Sequence, residues 1–171
     1  MSTDRNVQLA WAAGFIDGEG YVGMNRIRNK NGRDYFTALV DVSQNHARPL
    51  QTLVELLGGS VKVRRIRKGI GAGTEHFFWR LYAEKAIRAL EQVLPYLQVK
   101  DRQVRVLVEF QATMAGYGKK RRLSDEAVAY RLGLHRLLEE LNSRPPSDAE
   151  RLSEATPRRI AVVNAAAAMR G

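Results

Sequence analysis

The chain has 171 residues, 44% hydrophobic and 27% charged, a composition that suits one globular domain, alone or with an appendage, and excludes a disordered polymer. Its formal net charge of +10, carried by 21 Arg and 7 Lys against 18 acidic residues, predicts a polyanionic partner, because Arg pairs bidentately with phosphates and guanine edges. There is no Cys, and His46, His76 and His135 lie far apart, which excludes disulfides and a Cys nucleophile and argues against zinc.

Residues 10 to 20, AWAAGFIDGEG, read as a helix up to Ile16 followed by a turn. Ala10, Ala13, Gly14 and Asp17 fall at i, i+3, i+4 and i+7 and share a nearly bare face, which permits close approach of another helix. Leu9, Phe15 and Ile16 are expected to face a core. Gly inside a helix costs about 1 kcal/mol relative to Ala, so Gly14 points to a packing role. Gly18 and Gly20 are expected to turn the chain sharply, with Glu19 at the helix end.

Residues 21 to 28 are strand-like, and residues 29 to 33 form a polar hairpin loop. In residues 35 to 43, Phe36, Ala38, Val40 and Val42 alternate with Tyr35, Thr37, Leu39, Asp41 and Ser43, one set for a core and one for something polar. Leu50, Leu53, Val54 and Leu57 mark a helix over 47–57, ended by Gly58-Gly59. The order then repeats: a strand over 60–68, a loop over 69–73, and a strand over 75–82 with Phe77, Trp79 and Leu81 inward. The loop's GxGxG joins two strands and opens no helix, so it reads as a hairpin rather than a nucleotide cradle. A helix through Ile87, Leu90 and Val93 breaks at Pro95, and another starts near Lys100 with Val104, Leu107 and Phe110.

The expected fold is α+β, with a four-stranded antiparallel sheet, helices on one side and the other side free. Residues 26 to 68 hold ten basic residues against three acidic ones, Asp34, Asp41 and Glu55, so charge is expected on the free side; GC-rich coding would also inflate Arg. Lys119-Lys120-Arg121-Arg122 is either a solvated linker or a phosphate contact. A helix over 124–142, a break at 144–147 and a last helix from Thr156-Pro157 to Met169 complete the chain. The division is a core over 1–115 and a helical extension over 116–171 packed on it. No run of about 18 apolar residues occurs and the N-terminal MSTDRNVQ is polar, so the expected setting is intracellular, in cytoplasm, nucleoid or organelle matrix.

AAGFIDGEG, residues 12 to 20, resembles the signature of the LAGLIDADG homing endonucleases, with Glu19 where the family's name has Asp. PYLQVKDRQ, residues 95 to 103, is similar to the family's second recurring segment through Pro95, Tyr96, Leu97, Lys100 and Gln103. The two lie in the family's order and spacing, and the element order is its αββαββα. The resemblance covers residues 6 to about 115 and, with a single motif copy, implies the homodimeric type, with Ala10, Ala13, Gly14 and Asp17 at the interface on a two-fold axis.

The resemblance implies a sequence-specific double-strand DNA endonuclease that reads a long pseudo-palindromic site and hydrolyses phosphodiesters with a divalent metal. Magnesium or manganese would serve, with calcium occupying the site without supporting cleavage. It makes Glu19 the metal ligand with the Gly18 carbonyl assisting, has Gln44 position water and Lys100 polarise solvent or stabilise charge, and leaves Asp17 to cap or brace the helix end. The plainer alternatives are a strand-end polar group for Gln44 and a helix N-terminal surface lysine for Lys100. By alternation and position, the DNA-contacting candidates are Asn25, Arg26, Arg28, Tyr35, Thr37, Asp41, Lys62, Arg64, His76 and Arg80. The competing class is binding without cleavage, as an intron RNA maturase, with its own intron RNA as partner, or as a DNA-binding regulator.

Overall fold

The computed structural model describes residues 2–30, 32, 34–65, 73–114 and 123–143. Helix α1 (Ser2–Glu19) runs without a break into strand β1 (Gly20–Arg28). The turn expected at residues 17 to 20 is therefore absent: Gly18 and Glu19 belong to the helix, and no positive φ occurs there. Gly20 is required by closeness instead, because a Cβ there would lie 2.6 Å from the carbonyl oxygen of Ile16.

The buried side of α1 is formed by Leu9, Ala12, Ala13 and Ile16, at i, i+3, i+4 and i+7. This corrects the expected faces by one residue: Ala13 lies in the chain's own core, and Phe15 is half-buried and stacks on Trp11 with ring centroids 5.2 Å apart. Burial scales with apolar area, so the branched Leu9 and Ile16 decide which side turns inward.

Strand β2 (Asp34–Gln44), helix α2 (Ala47–Leu57), strand β3 (Val61–Arg65), strand β4 (Glu75–Tyr82) and helix α3 (Ala83–Val93) follow. A 3-10 turn (Leu94–Tyr96) leads to α4 (Asp101–Ala112), and α5 (Asp125–Asn142) is the last described element. The strands form one antiparallel sheet in the order β1-β2-β4-β3. Its inner face carries Val22, Met24, Phe36, Ala38, Val40, Val42, Trp79 and Leu81, buried in one cluster with Leu50, Leu53, Ile87, Leu90, Val104, Leu107, Leu134 and Leu138 of the helices. Val63 shares that side by register with Phe77 but is 57% exposed, because β3 is the sheet's edge.

Trp79 is fully buried, and its indole N–H donates to the Gly58 carbonyl at 2.8 Å, tying the end of α2 to the sheet. The α+β order is thus the one the hydrophobic periods predict, with helices on one side and an open opposite face. Helix α5 packs on α4 and β1: Asn142 Nδ2 donates to the Val22 carbonyl at 2.9 Å and Gln103 Nε2 to the Leu141 carbonyl at 3.2 Å. The buried Arg131 donates to the Thr113 hydroxyl and carbonyl at 3.0 and 2.8 Å, closing the end of α4. Among the described residues no helix is long and apolar enough to cross a membrane. The 119–122 basic cluster, the second hairpin's loop over 66–72, the break at 144–147 and the last helix lie outside the described residues.

Candidate active site and nucleic-acid interface

The two motif segments, about eighty residues apart in sequence, meet at Asp17. Its carboxylate accepts hydrogen bonds from the backbone N–H groups of Gln98, Val99 and Lys100 at 2.7, 3.2 and 2.9 Å. These donors precede α4 and have no partner within that helix, so the carboxylate satisfies what the helix start leaves open. The carbonyl of Asp17 in turn accepts from the Lys100 ammonium. Asp17 is therefore turned to its own chain, as a brace between α1 and the 98–100 segment. Lys100 is half-buried; burial pushes its ammonium below the ordinary lysine range, against the opposing pull of the Asp17 and Glu19 charges.

Glu19, at the end of α1, is exposed, and no hydrogen bond or ion pair among the described residues engages its carboxylate. Gln44 closes β2 at the same end of the sheet: Gly20 pairs with Val42, so Gln44 extends two residues past that rung toward the end of α1. The geometry brings Glu19, Gln44 and Lys100 to one end of the molecule.

The register settles which side chains share the open face. Tyr21, Gly23, Asn25 and Ile27 of β1 stand opposite Asp41, Leu39, Thr37 and Tyr35 of β2. Asp41, Leu39 and Ser43 stand opposite Arg80, Tyr82 and Phe78 of β4, and Phe78 and His76 opposite Lys62 and Arg64 of β3. Asn25, Tyr35, Thr37, Asp41, Lys62, Arg64, His76 and Arg80 are thus on one side of the sheet. Arg26 and Arg28 are not: they pair with Phe36 and Asp34, on the side of Val22 and Met24. Arg26 is bonded to Asp34 at 2.7 Å and holds that carboxyl below the usual range, while Arg28 donates to the Gly32 carbonyl at 3.2 Å. Among the described residues the strand cations of the open face are Lys62, Arg64 and Arg80, with exposed Tyr21, Ile27, Tyr35 and Tyr82, fewer than the described basic residues of 26–68 suggested.

By sequence, no family model and no curated protein matches the chain. By structure, it is similar to the homing endonuclease I-CvuI in complex with its target, with a TM-score of 0.65 and 20% identity over 84% of this chain and 87% of the other. It is similar to the archaeal intron-encoded homing endonuclease I-Vdi141I complexed with DNA, with a TM-score of 0.63 and 16% identity over 82% and 87% of the two chains. I-GzeII, a LAGLIDADG homing endonuclease in complex with a DNA target, matches with a TM-score of 0.57 and 14% identity over 84% of this chain and 47% of the other. The fold is that of the LAGLIDADG homing endonucleases.

Within the LAGLIDADG fold the side of α1 turned away from the core is left bare. Val7, Ala10, Trp11, Gly14 and Gly18 are exposed, with Ala10, Gly14 and Gly18 at i, i+4 and i+8. A Cβ added at Gly14 or Gly18 would meet nothing within 4 Å, so nothing inside the chain asks for glycine at either position. The exposed small-residue stripe is therefore Ala10, Gly14 and Gly18, and Ala13 and Asp17 face inward.

The donors at the helix end are hard oxygens. The last carbonyls of α1 have no intrahelical partner and carry the negative end of the helix dipole, so the Gly18 carbonyl and the Glu19 carboxylate suit a divalent cation such as magnesium or calcium. Among the described residues no three His, Cys, Asp or Glu side chains converge. The open-face residues that the sequence reading passed over are Tyr21, Ile27 and Tyr82; counting the alternation of β1 from Met24 would have found the first two.

Proposed function

We propose that the chain is a sequence-reading, double-strand DNA endonuclease that works as a symmetric pair of copies inside the cell. The observation that carries this is the unengaged Glu19 carboxylate, at the sheet end where Asp17 also holds Lys100. Support comes from the fold, whose neighbours are homing endonucleases complexed with DNA.

In this reading two copies meet along the exposed Ala10, Gly14 and Gly18 edges, which allow close helix approach. A two-fold pair reads a site with two-fold character. The Glu19 carboxylate and the Gly18 carbonyl of each chain would hold divalent metal, magnesium or manganese. When bound, the ion would supply charge neutralisation and an activated water for phosphodiester hydrolysis. The Gln44 amide orients water by hydrogen bonding, and the Lys100 ammonium, fixed by the Asp17 carbonyl, polarises the solvent around the reacting phosphate. Lys62 and Arg64 contact the DNA backbone, while Asn25, Thr37 and the open-face aromatics meet base edges in the major groove.

The test uses the full chain, a plasmid library with randomised inserts, and magnesium. Wild-type protein is expected to linearise a subset of plasmids; Glu19→Gln is expected to bind the selected sites with unchanged affinity and to cut at least a hundredfold more slowly. Equal cutting by Glu19→Gln removes the metal role. Binding without cutting by wild-type protein favours a regulator of the same fold.

A further inference from the structure

The centre of the open face holds one guanidinium that is already fixed. Arg80 is bonded through a terminal nitrogen to the Asp41 carboxylate, directly opposite it in the register. Its other terminal nitrogen lies 3.4 Å from the Tyr82 hydroxyl, and its plane is placed over the Phe78 ring, 5.6 Å from the centroid. Asp41 and the hydroxyl together hold Arg80 firmly in its charged form. The Asp41 side chain is 17% exposed and that of Arg80 38% exposed, so the carboxylate is the more covered of the pair and the guanidinium the more accessible.

We propose that Arg80 is a guanine reader and that Asp41 is its positioning residue, a step that rests on the DNA-reading function above. A guanidinium carries five N–H donors; with Asp41 and Tyr82 engaging one terminal nitrogen each, donors remain for a pair of acceptors. The Asp41 charge cancels much of the attraction that an Arg would exert on a phosphate, which leaves donor geometry as its main contribution. Guanine presents O6 and N7 as two neutral acceptors at the spacing that Arg bridges. Holding the side chain in advance removes the ordering cost that a free Arg would meet on binding. The Tyr21–Asp41–Arg80 rung is next to the Ser43–Phe78–Lys62 rung, which lies at the Glu19 end of the sheet. The base read is therefore close to the centre of the site. Lys62 has no such acid beside it in the register and is a backbone contact by contrast.

The experiment selects bound sequences from a randomised duplex library with wild-type chain and with Arg80→Lys, Arg80→Ala, Asp41→Asn and Lys62→Ala, each first checked for an unchanged melting profile. The wild-type consensus is expected to contain guanine at one symmetric position per half-site near the centre. Arg80→Lys keeps the charge and the bond to Asp41 but cannot form the paired contact, and it is expected to lose the preference at that position by roughly tenfold or more, with the rest of the consensus intact. Asp41→Asn is expected to weaken the same preference and to steepen the salt dependence, as the freed charge turns to phosphate. Lys62→Ala is expected to keep the consensus and flatten the salt dependence. A guanine position that survives both Arg80 variants overturns the assignment alone. A library from which wild-type protein enriches nothing overturns the DNA-reading function and this assignment with it.

Discussion

Asp17 and Glu19 are two residues apart and do opposite things, and the difference is one of geometry. Three backbone N–H groups converge on Asp17, whereas among the described residues nothing bonds Glu19. Hydrogen bonds to a charged acceptor contribute about 1.5–3 kcal/mol each, and a donor left unsatisfied is costly. Two of the three donors are exposed and return to water when the carboxylate is lost, so Asp17→Ala is expected to lower stability by about 2–4 kcal/mol in chemical denaturation, while Glu19→Gln leaves the midpoint unchanged. A midpoint for Asp17→Ala equal to wild type would show that the brace contributes nothing. The motif pattern could mark both acids but not separate them, because the partners of Asp17 lie 81 to 83 residues away. Arg26 and Arg28 escaped for a more local reason. YVGMNRIR mixes polar and apolar residues in both phases of its alternation, so only pairing with β2 reveals which phase faces the helices.

At the scale of the element, legibility followed how strongly each segment is punctuated. Helix α2 and strand β4 begin and end where their patterns predict, since Gly58-Gly59 with φ of 81° and 93° stops one and the inward phase of Phe77, Trp79 and Leu81 marks the other. Helix α1 defeated the rule, as two glycines after Ile16 promised a turn and instead allowed a helix to abut a strand. Its exposed stripe makes a direct prediction. Gly14→Leu finds open space within the chain and improves helix propensity by about 1 kcal/mol, so thermal stability of the monomer is expected to hold or rise. Light scattering is expected to show half the wild-type mass at the same concentration, and cleavage is expected to vanish. An unchanged mass would mean that the α1 edge is not where copies meet.

For the whole molecule, the net charge of +10, with Lys62 and Arg64 on β3 beside the Asp41–Arg80 ion pair of the open face, divides the labour of binding in the proposed function. Attraction to a phosphate backbone would then supply affinity that salt weakens, with a slope of about 0.9 per phosphate neutralised. Fluorescence anisotropy on a selected duplex is expected to give a linear fall of log affinity with log salt, shallower by about one unit in Arg64→Ala. A flat response would remove the electrostatic half of the reading. Composition pointed to a polyanion but misplaced part of the charge, because Arg26 and Arg28 are turned to Asp34 and the helix side.

The direct junction at Gly20 has one more result. With no loop between Glu19 and β1, the interval from Glu19 to Tyr21 cannot stretch, and Ile16 stands too close for any larger side chain to take the place of Gly20. In the proposed function the cutting point is thereby locked in phase with the row of outward side chains, like a blade set at a constant offset from a ruler. Substituting the ruler's marks would redirect the protein to a different address while leaving the blade where it is.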